Sequence, residues 1–275
     1  MELKKARNLL CIFFSIIAAI GAILTVGTLV TYSTLCNSRY MSNKLNSKSI
    51  VNQLDASYDA KLQALSAETG IPLRVFQAAK NEFISTETNV QRLFSEQDAT
   101  MFSEDKTEIY ERICTEYLDG NGIKYNKADI HMTAEKASSI YSSCYGISNG
   151  QALSDFISTF KSKVTGFTAL GLLLMIIPFV IVLMLFTKNE KLFAQLLNYV
   201  TACGFALILF GLSGLVFGIG SEIMINPEIY ANAIIRVIKT DFLISLIIGI
   251  AVSVFGIITA IKTNSKIIEN RINNS

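Results

Sequence analysis

Four stretches of this chain, 9–30, 164–186, 199–220 and 242–261, run for about the width of a bilayer without one charged side chain. Some 20 apolar residues in a helix rising ~1.5 Å each cross a hydrocarbon core ~30 Å thick. In lipid, every backbone polar group needs an internal partner, so such stretches are helices. The pattern predicts an all-α membrane protein: four transmembrane helices, with an all-helical extracytoplasmic domain inserted between spans one and two. The chain divides into 1–35 (cytoplasmic N-terminus and first span), 36–162 (the inserted domain), 163–262 (spans two to four with short loops) and 263–275 (cytoplasmic tail).

Charge is concentrated in the insert. The chain is 51% hydrophobic and 17% charged, against roughly 25% charged in soluble domains. Of its 46 charged residues, 30 lie between Arg39 and Lys163, 14 basic and 16 acidic. This balance leaves no polybasic face, so nucleic acid is excluded as a partner. The lipid bilayer and a protein are the expected partners.

Short segments set orientation, because long loops cross largely regardless of charge. Lys4, Lys5, Arg7, Lys188, Lys191, Lys262, Lys266 and Arg271 fall on one side, and Arg236 and Lys239 on the other. Both termini are therefore expected in the cytoplasm. The first apolar run is longer than a signal-peptide core and has no A-x-A site after it, which reads as an uncleaved anchor. Leu35 before Cys36 fits a lipoprotein site badly.

The insert reads as helices. Ile50, Val51, Leu54, Tyr58, Leu62 and Leu65 recur at helical spacing, until Thr69-Gly70-Ile71-Pro72 breaks the chain. Val75, Phe76, Ala79 and Phe83 form the next apolar face. A third helix is expected from near Ser103, with Ile109, Ile113 and Tyr117 on one side. Asp119-Gly120-Asn121-Gly122 stops it. A fourth runs over 128–145. A fifth carries Leu153, Phe156, Ile157 and Phe160 toward span two. The outermost of these helices are expected to continue spans one and two as a stalk, with 36–48 the weakest part. The tail, 264–275, is polar and expected to fray.

Catalytic and metal motifs are not apparent. Read as a calcium loop, Asp119-Gly120-Asn121-Gly122 puts Tyr117 and Ala128 where oxygen donors are required. His131 is the only histidine, too few for a zinc site or a histidine-based hydrolase. No cofactor and no enzymatic activity are expected. Cys114 and Cys144 fall on neighbouring helices of the insert and are a candidate disulfide, worth ~3 kcal/mol in the chain-entropy model; two separately packed thiols are the alternative. Cys36 is left over, and Cys11 and Cys203 are small apolar packing residues of the spans.

Within the spans, Gly204, Gly211, Gly214 and Gly218 share one stripe of span three. Ser245, Gly249, Ser253, Gly256 and Ala260 share one of span four. Small residues let helix backbones approach closely in lipid, so Gly204, Gly211, Gly214, Gly218, Gly249 and Gly256 are a candidate packing seam, within a bundle or between copies. Pro178 interrupts the hydrogen bonding of span two. Glu222 and Asp241 sit at span edges and no carboxylate lies deeper, which disfavours ion-coupled transport.

The order of parts, span–large outer domain–span–short inner loop–span–short outer loop–span, resembles the topology of ABC permeases of the cell-division and macrolide-efflux type. The resemblance is one of architecture, with no shared motif. It implies a permease-like subunit working with a separate cytoplasmic ATPase. The leading expectation is a non-enzymatic membrane protein whose helical domain binds a partner or ligand. Abundant Lys, Asn and Ile and the absence of Trp point to an AT-rich bacterial genome, hence the plasma membrane.

Overall fold

A computed structural model describes residues 2–80, 82–83, 106–147, 150–185, 189–218 and 225–273. The described residues are helical with no β-strand. Helices α1 (Glu2–Ser33), α2 (Ser38–Leu45), α3 (Lys48–Thr69), α4 (Leu73–Lys80), α5 (Thr107–Gly120), α6 (Lys127–Tyr145), α7 (Gly150–Leu185), α8 (Asn189–Val216) and α9 (Glu228–Asn273) follow one another. Four segments of these helices, Ala6–Ser33, Ala152–Leu185, Gln195–Val216 and Glu228–Lys262, are long and apolar enough to cross a membrane.

The chain forms two compact units. One comprises Met1–Thr34, Phe160–Ser221 and Val237–Ser275; the other comprises Leu35–Thr159 and Glu222–Arg236. The second piece of the latter is a finding, since 222–236 reads in the sequence as part of a short loop. Helix α1 ends at Ser33, and α2 intervenes before α3, so no stalk continues span one. Helix α7 is unbroken and runs from the second unit's residues into the first's, as does α9. Through the polar tail, α9 is helical to Asn273. The expected helix start near Ser103 and the span ends at Phe186 and Gly220 lie outside the described residues.

In the first unit, small residues set the helix crossings. A Cβ placed on Gly21 of α1 would lie 2.7 Å from the Gly171 carbonyl of α7, and one on Gly171 would lie 2.9 Å from the Thr25 nitrogen. No real Cβ survives there, so the two backbones touch. Ala18 and Ala22 of α1 pack against Tyr199, Cys203 and Leu207 of α8. Cys11 and Val182 close a smaller cluster with Phe14, Leu185 and Leu196. The opposite faces are apolar and exposed, among them Leu173, Ile177, Leu209, Ile247 and Phe255, as lipid-facing surfaces are. Pro178 lies inside α7 and brings no N–H to the carbonyl four residues back. The Tyr199 hydroxyl donates to the adjacent Met175 carbonyl.

The second unit is built on ordinary amphipathic logic. Helix α3 buries Leu54, Tyr58, Leu62 and Leu65 and stops at Gly70, whose φ of +73° only glycine adopts freely. Its N–H bonds the Ser66 carbonyl at 2.9 Å. Asn126 caps α6, its side chain accepting from Ala128 N–H at 3.1 Å. Helix α6 packs on α3 and α5, and α4 packs on both as well. Helix α5 turns a different face inward than its isoleucines suggest: Thr107, Tyr110, Cys114 and Leu118 are buried, one residue, or about 100°, round from Ile109, Ile113 and Tyr117.

Candidate functional site

The second unit's core is a knot of tyrosines, and it is the chemically richest place in the described chain. Tyr58 of α3 and Tyr110 of α5 are fully buried, and their hydroxyls meet at 2.5 Å. Tyr141 and Tyr145 of α6 stack edge-on to Tyr58, with ring centroids 6.1 and 5.3 Å away. Phe83 packs on Tyr110 and Tyr141. Tyr230, near the start of α9, is also fully buried, and its hydroxyl has no hydrogen-bond partner. These rings supply large apolar area with a polar handle that must be satisfied or left at a loss.

One edge of the knot is charged. The Tyr145 hydroxyl donates to Asp55 Oδ1 at 2.5 Å, and Lys80 Nζ reaches the same oxygen at 2.6 Å. The ammonium sits 5.1 Å from the Tyr145 ring centre and 5.8 Å from that of Tyr58. Asp55 and Lys80 are each about one-third exposed, so this edge is what solvent or a partner meets.

Burial controls the ionisation of the group. It pushes Tyr58 up to about 12, against the partial relief of the Tyr110 bond. Burial, then the neighbouring Tyr58, raises Tyr110 further. Burial and the bond to the Asp55 carboxylate raise Tyr145. All three phenols stay protonated near neutral pH. The arrangement holds, orients and packs; its phenols are far from the range in which a general acid or base exchanges protons at neutral pH.

Of the candidate disulfide pair, Cys114 and Cys144 are both buried thiols, unjoined in the structure. Each already has a place. Cys114 fills the buried face of α5, and burial pushes its thiol up to about 11. Cys144 Sγ lies 3.9 Å from the hydroxyls of Ser57 and Ser143. Cys11, Cys36 and Cys203 are likewise buried thiols outside any disulfide. Asp119-Gly120-Asn121-Gly122 ends α5, with Gly122 at φ +66° and Asn121 Nδ2 donating to the Tyr117 carbonyl at 2.7 Å. His131 is exposed and bonds Glu111 at 2.9 Å, with Glu135 at 3.5 Å. Among the described residues no three ligand-type side chains converge as a metal site.

Five of the six seam glycines come together, between α8 and α9. A Cβ on Gly204 would lie 2.9 Å from the Gly249 carbonyl, and one on Gly211 would lie 2.7 Å from the Phe242 carbonyl. One on Gly214 would enter the Phe242 ring, and one on Gly256 would meet the Thr201 hydroxyl. Gly218 does not belong: it follows the end of α8 with φ +62°, so Gly214 and Gly218 are no GxxxG pair. The Gly21–Gly171 crossing has no stripe to announce it, because the one other glycine of each span, Gly27 or Gly166, falls on a different helix face. A recurrent signal marks these contacts: Gly171 faces Thr25, Gly204 faces Ser253 and Gly256 faces Thr201, a glycine against a hydroxyl each time.

Among the described residues the fold is all-helical, with four helices of membrane-crossing length, consistent with a multi-pass membrane protein. No protein-family model, curated protein or solved structure matches it.

Proposed function

We propose that this is a non-enzymatic, multi-pass protein of the plasma membrane, with both termini cytoplasmic and the second unit on the extracytoplasmic side, where that unit binds a protein partner or ligand. One observation carries the reading. The second unit has its own packed core and a mixed-charge surface, and it belongs to a chain whose other unit presents apolar faces outward. Such a unit is equipped to recognise and such helices to anchor. The inert chemistry of the tyrosine knot supports recognition over turnover.

The test has two parts. Single cysteines at Asn8→Cys and Asn274→Cys, in a background without native cysteines, should resist an impermeant thiol reagent in intact cells and react after lysis. Crosslinking through the second unit, followed by identification of captured proteins, should return a membrane or envelope partner that the second unit's surface substitutions release. Labelling of either terminus in intact cells sinks the orientation. Capture of an ATPase that is lost on substituting Lys188 and Lys191 would replace this reading with that of a permease-like subunit.

A further inference from the structure

We infer that Asp241 is a proton-binding site of the first unit, whose carboxyl carries a proton in the folded chain and uses it to tie the end of α1 to α9. The inference is independent of any partner of the second unit. Asp241 is only 8% exposed and Thr34 only 5%. The Thr34 hydroxyl oxygen lies 2.8 Å from the Val30 carbonyl and 2.9 Å from Asp241 Oδ2. Both separations are hydrogen-bond lengths. A threonine hydroxyl has one hydrogen, and a carbonyl and an ionised carboxylate can only accept. Two short oxygen–oxygen contacts around one hydroxyl need two hydrogens. Thr34 supplies one, to the carbonyl one turn back, as buried helical threonines do. The other comes from Asp241, donating from Oδ2 to Thr34.

The rest of the site agrees. Asp241 Oδ1 is buried and makes no hydrogen bond, a heavy loss for an anion and a smaller one for the carbonyl oxygen of a neutral acid. The nearby Ser245 hydroxyl is committed to the Asp241 backbone carbonyl at 3.0 Å. Of the elements around Asp241, α1 brings the neutral Thr34, and α8 carries no charged residue over 195–216. The cations nearest to Asp241 along α9 are Arg236 and Lys239, and α7 carries Lys161 and Lys163 before its apolar run. These cations favour the anion; the hydrogen count stands against them. Releasing the proton to water would leave Thr34 with two acceptors and one hydrogen. The tie between α1 and α9 then weakens, which makes this contact responsive to pH. Ionisable groups within membrane-crossing helices mark such proton-handling positions.

Infrared spectroscopy of the full-length protein in detergent at neutral pH tests this directly. The wild type should show a protonated-carboxyl C=O band that shifts in D2O and is absent from Asp241→Asn. Thr34→Val should move the band to higher frequency, since it removes the acceptor. Asp241→Asn should keep wild-type thermal stability, because its amide N–H donates to Thr34 as the acid does. Absence of the band from the folded wild type at neutral pH would overturn the inference. So would failure of Asp241→Asn to fold, because asparagine reproduces the shape and the donor of the neutral acid and lacks only the charge of an anion. Loss of the band on adding sodium at constant pH would mean that a metal cation, not a proton, is the occupant, and would equally overturn it.

Discussion

The two units solve the same problem, packing helices tightly, with opposite residue types. In the first, the contacts are made where side chains are missing: Gly21 against Gly171, and Gly204, Gly211 and Gly214 against α9. In the second, they are made where side chains are largest: Tyr58, Tyr110, Tyr141, Tyr145 and Tyr230. The surroundings proposed for the two units explain the difference. In lipid, burying a large apolar side chain gains little over leaving it in hydrocarbon, so close backbone approach and dispersion decide. In water, burying an aromatic ring is the main driving force. A substitution should therefore hurt the two units in opposite directions: smaller is worse in one, larger is worse in the other.

The sharpest break of this comparison is truncation in the knot. Tyr110→Ala removes a fully buried ring and strands the Tyr58 hydroxyl, and should destabilise the second unit by ~3–5 kcal/mol, read as loss of its unfolding transition in detergent-solubilised protein. The mirror experiment is Gly204→Leu, which drives a side chain into Ser253 and the Gly249 carbonyl. It should lower the first unit's stability by ~1–3 kcal/mol without changing oligomer size, whereas Phe217→Leu, at 79% exposure, should do neither. If Gly204→Leu dissociates an oligomer and leaves the monomer stable, the seam is an interface between copies and the comparison fails.

Next in size is the hydroxyl pair. Tyr58→Phe leaves the Tyr110 hydroxyl buried without its partner and should be worth ~1–3 kcal/mol, whereas the double change Tyr58→Phe with Tyr110→Phe should be milder than the sum. The pair also sets a pH dependence. Burial lifts Tyr58 from its ordinary value of 10.0 to about 12 in the folded chain, so the contribution is fully present below 10 and lost as pH climbs from 10 through 12. Tyr110 and Tyr145 shift the same way. Alkaline titration should thus melt the second unit together with the appearance of tyrosinate absorbance. Stability that holds through that range would contradict the burial argument.

Much of this contrast was legible in the residues. Helical spacing gives α3, α4, α6 and the four membrane-length helices, and the stop signals at Gly70 and at Asp119-Gly120-Asn121-Gly122 fall where helices end. The glycine stripe of α8 is visible because period and residue type coincide, though Gly218 lies past the helix and drops out. What was not legible depends on three-dimensional closure. Periodicity in α5 is ambiguous by one residue because Tyr110, Cys114 and Leu118 repeat at the same spacing as Ile109, Ile113 and Tyr117, and both sets can be buried. The tyrosines that form the knot are far apart in the chain and give no local motif. Residues 222–236 join the second unit only through tertiary packing, with Tyr230 as the buried residue that shows it. Asp241 looks like an edge residue beside the apolar run 242–261, and only the end of α1 folding against it reveals its burial.

The smallest expected effect concerns the charged edge of the knot, where the comparison predicts that charge matters least. Asp55 Oδ1 takes both the Tyr145 hydroxyl and Lys80 Nζ. Both members of the ion pair are about one-third exposed, so solvent screens the attraction and its net worth is ~0–1 kcal/mol. Lys80→Met keeps an apolar stem of similar length and removes the ammonium that lies over the Tyr58 and Tyr145 rings. It should shift stability by less than ~1 kcal/mol, because Tyr145 still satisfies Asp55. Tyr145→Phe should be more damaging than Lys80→Met, since it leaves the carboxylate with the solvent-screened partner alone. A double-mutant cycle of Lys80→Met with Tyr145→Phe, followed by thermal unfolding, reads the order directly. Should Lys80→Met prove the more damaging of the two, electrostatics rather than aromatic packing would be holding this edge, and the contrast drawn between the two units would have to be redrawn.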